Sequence, residues 1–191
     1  MKRYAIYTLL AAGLVSFQAQ ANELEPQWYG GLGMGMVNFL VNEGSVPTLT
    51  GTSSVNSTSY NINIFAGYQF DPFLGLELNY LGGGSVTATN QAQTTKLFDV
   101  SLSTISATMG VPLNDSLRLY AKLGGTSWKF SSPQGAGLND GFGPSVGLGA
   151  NINLFGGSDR MLRIEYNYYH LDKVYVRSAS NLSINAVFKF R

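Results

Sequence analysis

The chain has 191 residues, enough for a single domain. Only 12% of them are Asp, Glu, Lys or Arg, about half of the roughly 25% that clothes a water-facing domain. Twelve bases against eleven acids exclude a basic surface for nucleic acid. The absence of cysteine excludes a disulfide scaffold and thiolate metal sites. A mean hydropathy of +0.04 excludes a helical membrane bundle. Sparse charge with 23 glycines and 13% aromatics suits a chain that meets lipid through strands.

The first segment has the form of an export leader. Lys2 and Arg3 supply a positive start, and Tyr4 to Phe17 is apolar but too short to span a bilayer. Ala19-Gln20-Ala21 fits the small-x-small cleavage pattern. The predicted organisation is therefore a cleaved signal peptide over residues 1–21 and one barrel domain over residues 22–191. Cleavage before Asn22 removes two bases and no acid, which leaves ten bases, eleven acids and a net charge of −1.

Alternation of period two then dominates. In the first run Trp28, Leu32, Met34 and Met36 share one face, opposite Tyr29, Gly31, Gly33 and Gly35. A polar stretch from Asn38 to Ser59 follows. The second run sets Tyr60, Ile62, Ile64, Ala66, Tyr68 and Phe70 against Asn61, Asn63, Phe65, Gly67 and Gln69. Asp71-Pro72-Phe73 is a tight turn. In the third run Leu74, Leu76, Leu78 and Tyr80 oppose Gly75, Glu77 and Asn79. A second polar stretch covers about Gly82 to Thr95.

The fourth run lies within Leu97 to Val111. Phe98, Val100 and Leu102 have one parity and Ile105, Met109 and Val111 the other, which predicts a bulge near Ser103. Pro112 to Ser116 turns the chain. The fifth run sets Leu117, Leu119, Ala121 and Leu123 against Tyr120, Lys122 and Gly124. A third loop spans about Ser131 to Gly141. The sixth run, Ser145 to Leu154, the seventh, Leu162 to Tyr168, and the eighth, Leu182 to Arg191, alternate in the same way. A turn at Gly156 to Asp159 and a fourth loop at about Leu171 to Ser180 separate them.

Eight runs joined by alternating long and short connections predict an all-β, eight-stranded antiparallel up-and-down transmembrane barrel, with short turns and both ends on the periplasmic side. A soluble carrier barrel would have the same period. Against it, the polar face is mostly Gly, Ser and Asn, and the strand-centre charges Glu77, Lys122, Arg163, Glu165 and Lys189 all fall on that face. A Lys or Arg aimed into the bilayer centre would cost about 2–4 kcal/mol. Aromatics near strand ends form the predicted interface girdle: Trp28, Tyr68, Phe70, Phe73, Tyr80, Tyr166, Tyr168, Phe188 and Phe190.

Several segments carry a more specific signal. Gly67 to Tyr80, Val111 to Gly125, Arg163-Ile164-Glu165-Tyr166 and the ending Val187-Phe188-Lys189-Phe190-Arg191 together resemble the OmpA-like transmembrane domain family. The resemblance implies a lumen of polar side chains, charge pairs and water pockets with no wide pore. It places Glu77, Lys122 and Arg163 in the interior charge network, with Glu165 as a further inward acid. Thr108 stands where the family has a lumen lysine, and Asn151 where it has an acid. The terminal aromatic strand implies recognition by the barrel-assembly machinery, although Phe190 is penultimate here. The reading expects a barrel without the periplasmic peptidoglycan-binding domain of longer family members.

The four lumen charges are read as structural pairs in preference to a gate. His170, the single histidine, lies near Asp172, Ser178 and Ser180, a set that resembles the rim of lipid A-modifying barrels. The residues His170-Leu171-Asp172 place no Ser two positions after the His, and the enzyme reading is set aside. Gly30 to Gly35 resembles a phosphate loop only superficially, since it lies within a strand and no helix follows. Asn56-Ser57-Thr58 matches a glycosylation sequon that a bacterial barrel does not use. The expected protein is non-enzymatic, uses no cofactor, sits in the bacterial outer membrane among lipid and lipopolysaccharide, and meets host or cell-surface ligands through its outer loops. A narrow solute channel and a lipid A enzyme are the alternatives.

Overall fold

The computed structural model describes residues 26–41, 54–90, 93–131, 140–154, 159–172 and 176–190. The expected leader, the Asn22 start, Arg191 and much of the first and third outer loops lie outside those residues. The described residues form nine strands: β1 (Gln27–Val41), β2 (Ser54–Asn56), β3 (Thr58–Gln69), β4 (Leu74–Asn90), β5 (Gln93–Asn114), β6 (Leu117–Ser131), β7 (Gly141–Ile152), β8 (Arg160–His170) and β9 (Val176–Phe190). All strands but β2 pair antiparallel with their neighbours in sequence, and β1 pairs with β9 from Trp28↔Phe190 to Val41↔Val176. That last ladder closes eight strands into a barrel and removes its edges. β2 is a short addition that pairs Ser54–Asn56 with Thr87–Thr89 of β4.

The periplasmic turns are built by local side-chain caps. Asp71 Oδ1 accepts the amides of Phe73 and Leu74, both at 2.7 Å. Asn114 Oδ1 accepts Ser116 N at 2.9 Å. Short polar side chains that bond the backbone two or three residues on are what tight turns favour. At the other end Asp172 adopts a positive φ of 41°, a conformation that Asp tolerates better than most residues.

Three sequence expectations change. The polar stretch from Gly82 to Thr95 is largely strand: β4 continues to Asn90 and β5 starts at Gln93, so the hairpin rises well past the apolar band. β9 likewise begins at Val176, inside the expected fourth loop. No bulge occurs near Ser103. The β5–β6 register is unbroken from Asp99↔Ser131 to Pro112↔Arg118, and the β4–β5 register is unbroken from Leu74↔Met109 to Leu81↔Leu102. The irregularities lie at Leu81/Gly84 and Val86/Thr87 instead. Both parities in β5 are real: Ile105 and Met109 face outward, whereas Phe98, Val100 and Leu102 point into the barrel.

The outer wall is apolar. Met34, Ile62, Leu78, Leu123, Leu148 and Ile184 are among the side chains left exposed around the barrel. In water such a surface would aggregate; hydrocarbon accepts it at no cost. Outward charges among the described residues, such as Lys96, Lys129, Arg160 and Arg177, sit near strand ends.

Candidate functional site

Inward positions stack in layers, which β6 and β9 show most fully. Going outward along β6, the inward residues are Arg118, Tyr120, Lys122, Gly124, Thr126 and Trp128. Going inward along β9 they are Ala179, Asn181, Ser183, Asn185, Val187 and Lys189. The lumen therefore passes from a cationic mouth to a charge layer, then to a layer of amides and hydroxyls, then to an apolar layer.

The charge layer brings together the four ionisable residues singled out from the sequence. Glu77 is fully buried and forms its hub. Its Oε1 lies 2.5 Å from Lys122 Nζ and its Oε2 lies 2.6 Å from Arg163 Nη1. Lys122 also reaches Glu165 Oε2 at 2.5 Å, and Arg163 approaches the same oxygen at 3.7 Å. Hydroxyls and amides complete the acids. Tyr29 donates to Glu77 Oε2 at 2.9 Å, Tyr120 donates to Glu165, and Asn167 donates to Glu165 Oε1 at 2.6 Å. Arg163 Nε donates to Asn151 Oδ1 at 2.9 Å. Its guanidinium also lies over the Phe65 ring at 4.4 Å and near the Tyr29 and Tyr120 rings at 5.4 and 5.1 Å. Two acids and two bases neutralise each other, as burial in a narrow interior requires. Thr108 is buried here but bonds to none of the four, and Asn151 serves as an acceptor for Arg163.

Glycines make room for this layer. A Cβ at Gly67 would overlap the Tyr29 ring, and one at Gly149 would overlap the Tyr120 ring. Both tyrosines lie flat across a neighbouring strand and reach their carboxylates only because those positions carry no side chain. Above them, Asn61 Nδ2 donates to Asn181 Oδ1 at 2.7 Å, and the Thr104 and Thr126 hydroxyls meet at 2.8 Å.

The outer layer was not foreseen. Val37, Phe39, Leu81, Val86, Phe98, Val100, Leu102, Trp128, Tyr169, Leu171, Val176 and Ala179 pack into one buried cluster. Phe98 and Phe130 meet edge-on at 5.6 Å. The outer half of the lumen is thus a dry apolar plug, not the polar interior expected. The odd parity of Phe98, Val100 and Leu102 was the available signal.

The aromatic residues fall into two groups. Trp28, Tyr68, Phe70, Phe188 and Phe190 lie toward the periplasmic rim with Phe73 in its turn, and Trp28 and Tyr68 pack at 4.9 Å. Tyr80, Tyr166 and Tyr168 lie farther out, joined by Tyr60 and Phe142, which are 79% and 71% exposed. The sequence reading did not count these last two in the girdle, and β7 begins at Gly141, earlier than the expected sixth run, which brings Phe142 into the wall. His170 pairs across strands with Ser178. Among the described residues no side-chain hydrogen bond joins His170 to Ser178 or Asp172.

A closed antiparallel barrel with an apolar outer wall and a filled, charge-paired interior defines a small transmembrane barrel of the bacterial outer membrane. The family model for the outer membrane protein beta-barrel domain matches residues 7–190, and the chain belongs to that family. Outer membrane protein A of Klebsiella aerogenes is 27% identical over 169 residues, covering 88% of this chain and 48% of the relative. Its counterpart in Salmonella typhi is 30% identical over 151 residues, covering 73% and 40%. The chain thus spans less than half the length of these relatives. Among solved structures, OprG from Pseudomonas aeruginosa has a TM-score of 0.60 at 16% identity, covering 90% of this chain and 99% of its own. Neisserial surface protein A has a TM-score of 0.58 at 18% identity, covering 85% and 97%. These likenesses establish an OmpA-like eight-stranded barrel.

Proposed function

We propose that this barrel is a non-enzymatic anchor that presents its outer end to other surfaces and supports the envelope, and that it is not a conduit. The observation that carries this reading is the filled lumen. A self-neutral ionic layer and an apolar plug lie in series, and eight strands leave an interior only wide enough for side chains. With transport unsupported, exposed chemistry remains at the outer end. There the β4–β5 hairpin, edged by β2, stands above the apolar band with Thr87, Thr89, Thr94 and Lys96 on it. The plug gives that hairpin a rigid footing, because Val86 and Phe98 at its base belong to the buried cluster.

The partners of this reading are lipid and lipopolysaccharide around the wall, the barrel-assembly machinery during insertion, and host or cell-surface ligands at the outer end. The test replaces the first loop and the β4–β5 extension with short turns. Attachment of cells to matrix or to other cells should be lost, while heat-modifiable migration of the extracted protein is retained. Attachment that survives the replacement refutes the adhesive role. Stable large openings in planar bilayers refute the closed barrel, and lipid A altered by the wild type but not by His170→Ala restores the enzyme reading.

A further inference from the structure

Among the described residues four cations face the lumen, and the charge layer accounts for two of them. The other two, Arg118 and Lys189, lie on the periplasmic side of it, on β6 and β9. They line one solvent-open recess, with a cavity volume of about 30 Å³, together with Gln27, Gln69 and Asn151. Among the described residues no carboxylate lines it, and the acids that act on the two cations from its surroundings are Asp71 and Asp159, the latter accepting Lys189 N through its carbonyl at 2.9 Å. Asp71, on the adjoining turn, has one carboxylate oxygen committed to the amides of Phe73 and Leu74.

Arg118 is also under-bonded. Its Nε donates to Pro72 O at 3.3 Å, a neutral acceptor at long range. Its Nη2 is buried without a partner. The guanidinium is seated against Gly110, where a Cβ would meet Cζ, Nη2 and Nε within 2.6–2.8 Å. It is therefore seated by shape, with Asp71 acting on it from the adjoining turn and no close ion pair among the described residues. Asn151 turns its carbonyl oxygen to Arg163, which leaves its amide hydrogens as donors beside the two cations. Arg118 and Lys189 form no close ion pair among the described residues, and the layer above offers them none because its own charges cancel.

We propose that this recess binds a phosphate group between the Arg118 guanidinium and the Lys189 ammonium. Two cations on one recess match the charge of about −1.5 on inorganic phosphate at neutral pH and exceed the single negative charge of a phosphodiester headgroup. Arg supplies forked donors to the oxyanion and Lys a point charge. The phosphate can come from free inorganic phosphate or from a lipid headgroup at the periplasmic rim, and the experiment separates the two.

Purified protein in maltoside micelles, which contain no phosphate, is titrated with inorganic phosphate. A parallel titration uses phosphatidylglycerol doped into the same micelles, and chloride at equal ionic strength is the control. Backbone amide shifts at Gln27, Asn151 and Lys189 are the readout. Saturable shifts in either phosphate arm are expected, and the responding arm identifies the source. Arg118→Gln and Lys189→Gln should each weaken the response by about ten- to a hundredfold, with heat-modifiable migration showing that each variant is folded. Three outcomes overturn the site: no saturation in either arm, equal shifts with chloride, or a response that neither substitution weakens. Should Arg118→Gln fail to fold, Lys189→Gln carries the same test at the open side of the recess.

Discussion

Glu77→Ala is the most informative perturbation of this barrel, because Glu77 is the hub of the charge layer. It is the direct partner of Lys122 at 2.5 Å, Arg163 at 2.6 Å and the Tyr29 hydroxyl at 2.9 Å. Its removal leaves Glu165 alone against two cations, one of them 3.7 Å away, so one positive charge stays buried without compensation. Breaking a buried pair by deleting one partner costs about 3–5 kcal/mol, which is roughly two to three and a half decades in the unfolding equilibrium. Lys122→Met on this background removes the surplus charge and leaves Arg163 to Glu165, so it should recover about half of the loss. The assay is equilibrium urea unfolding in phospholipid bilayers, followed by tryptophan fluorescence and checked by gel migration of the folded form. A single-mutant loss below about 1 kcal/mol, or a double mutant whose loss equals the sum of both single losses, refutes the view that these four charges act as one self-neutral unit.

Phe39→Ala, in the middle of the apolar plug, should destabilise the barrel by about 3–5 kcal/mol without raising conductance in planar bilayers, since the charge layer still closes the lumen. Gly67→Val forces the Tyr29 ring off its seat and should cost about 1–3 kcal/mol in the same unfolding assay. Leu148→Arg, at an outward position 66% exposed, should cost about 2–4 kcal/mol in bilayers, while Lys129→Ala near the outer end of β6 should be close to neutral.

Much of this architecture is legible in one dimension because a strand that separates hydrocarbon from a narrow lumen has a period of two and tolerates few exceptions. Ile62 and Ile64 on one parity and Asn61 and Asn63 on the other are enough to say which way β3 faces. Asp71 and Asn114 mark their turns through the chemistry of their own side chains. The placing of Glu77, Lys122, Arg163 and Glu165 on inward positions follows from the same parity. Where loops end was less legible. Thr87, Thr89, Thr94 and Thr95 read as polar linker, yet Thr is a good strand former, and pairing between β4 and β5 carries the hairpin outward.

The tertiary structure alone decided the rest. Parity separates two faces but does not say what either face touches, so Phe98-Val100-Leu102 and Ile105-Met109 looked like a broken register. Only the ladder to β6, unbroken from Asp99↔Ser131 to Pro112↔Arg118, and the burial of the side chains show that one set fills the lumen and the other meets lipid. The partners of Glu77 come from β1, β6 and β8, and the glycine seats of Tyr29 and Tyr120 lie on neighbouring strands. Such contacts depend on how the closed sheet staggers its strands, a quantity that belongs to the barrel as a whole and to no single segment of it.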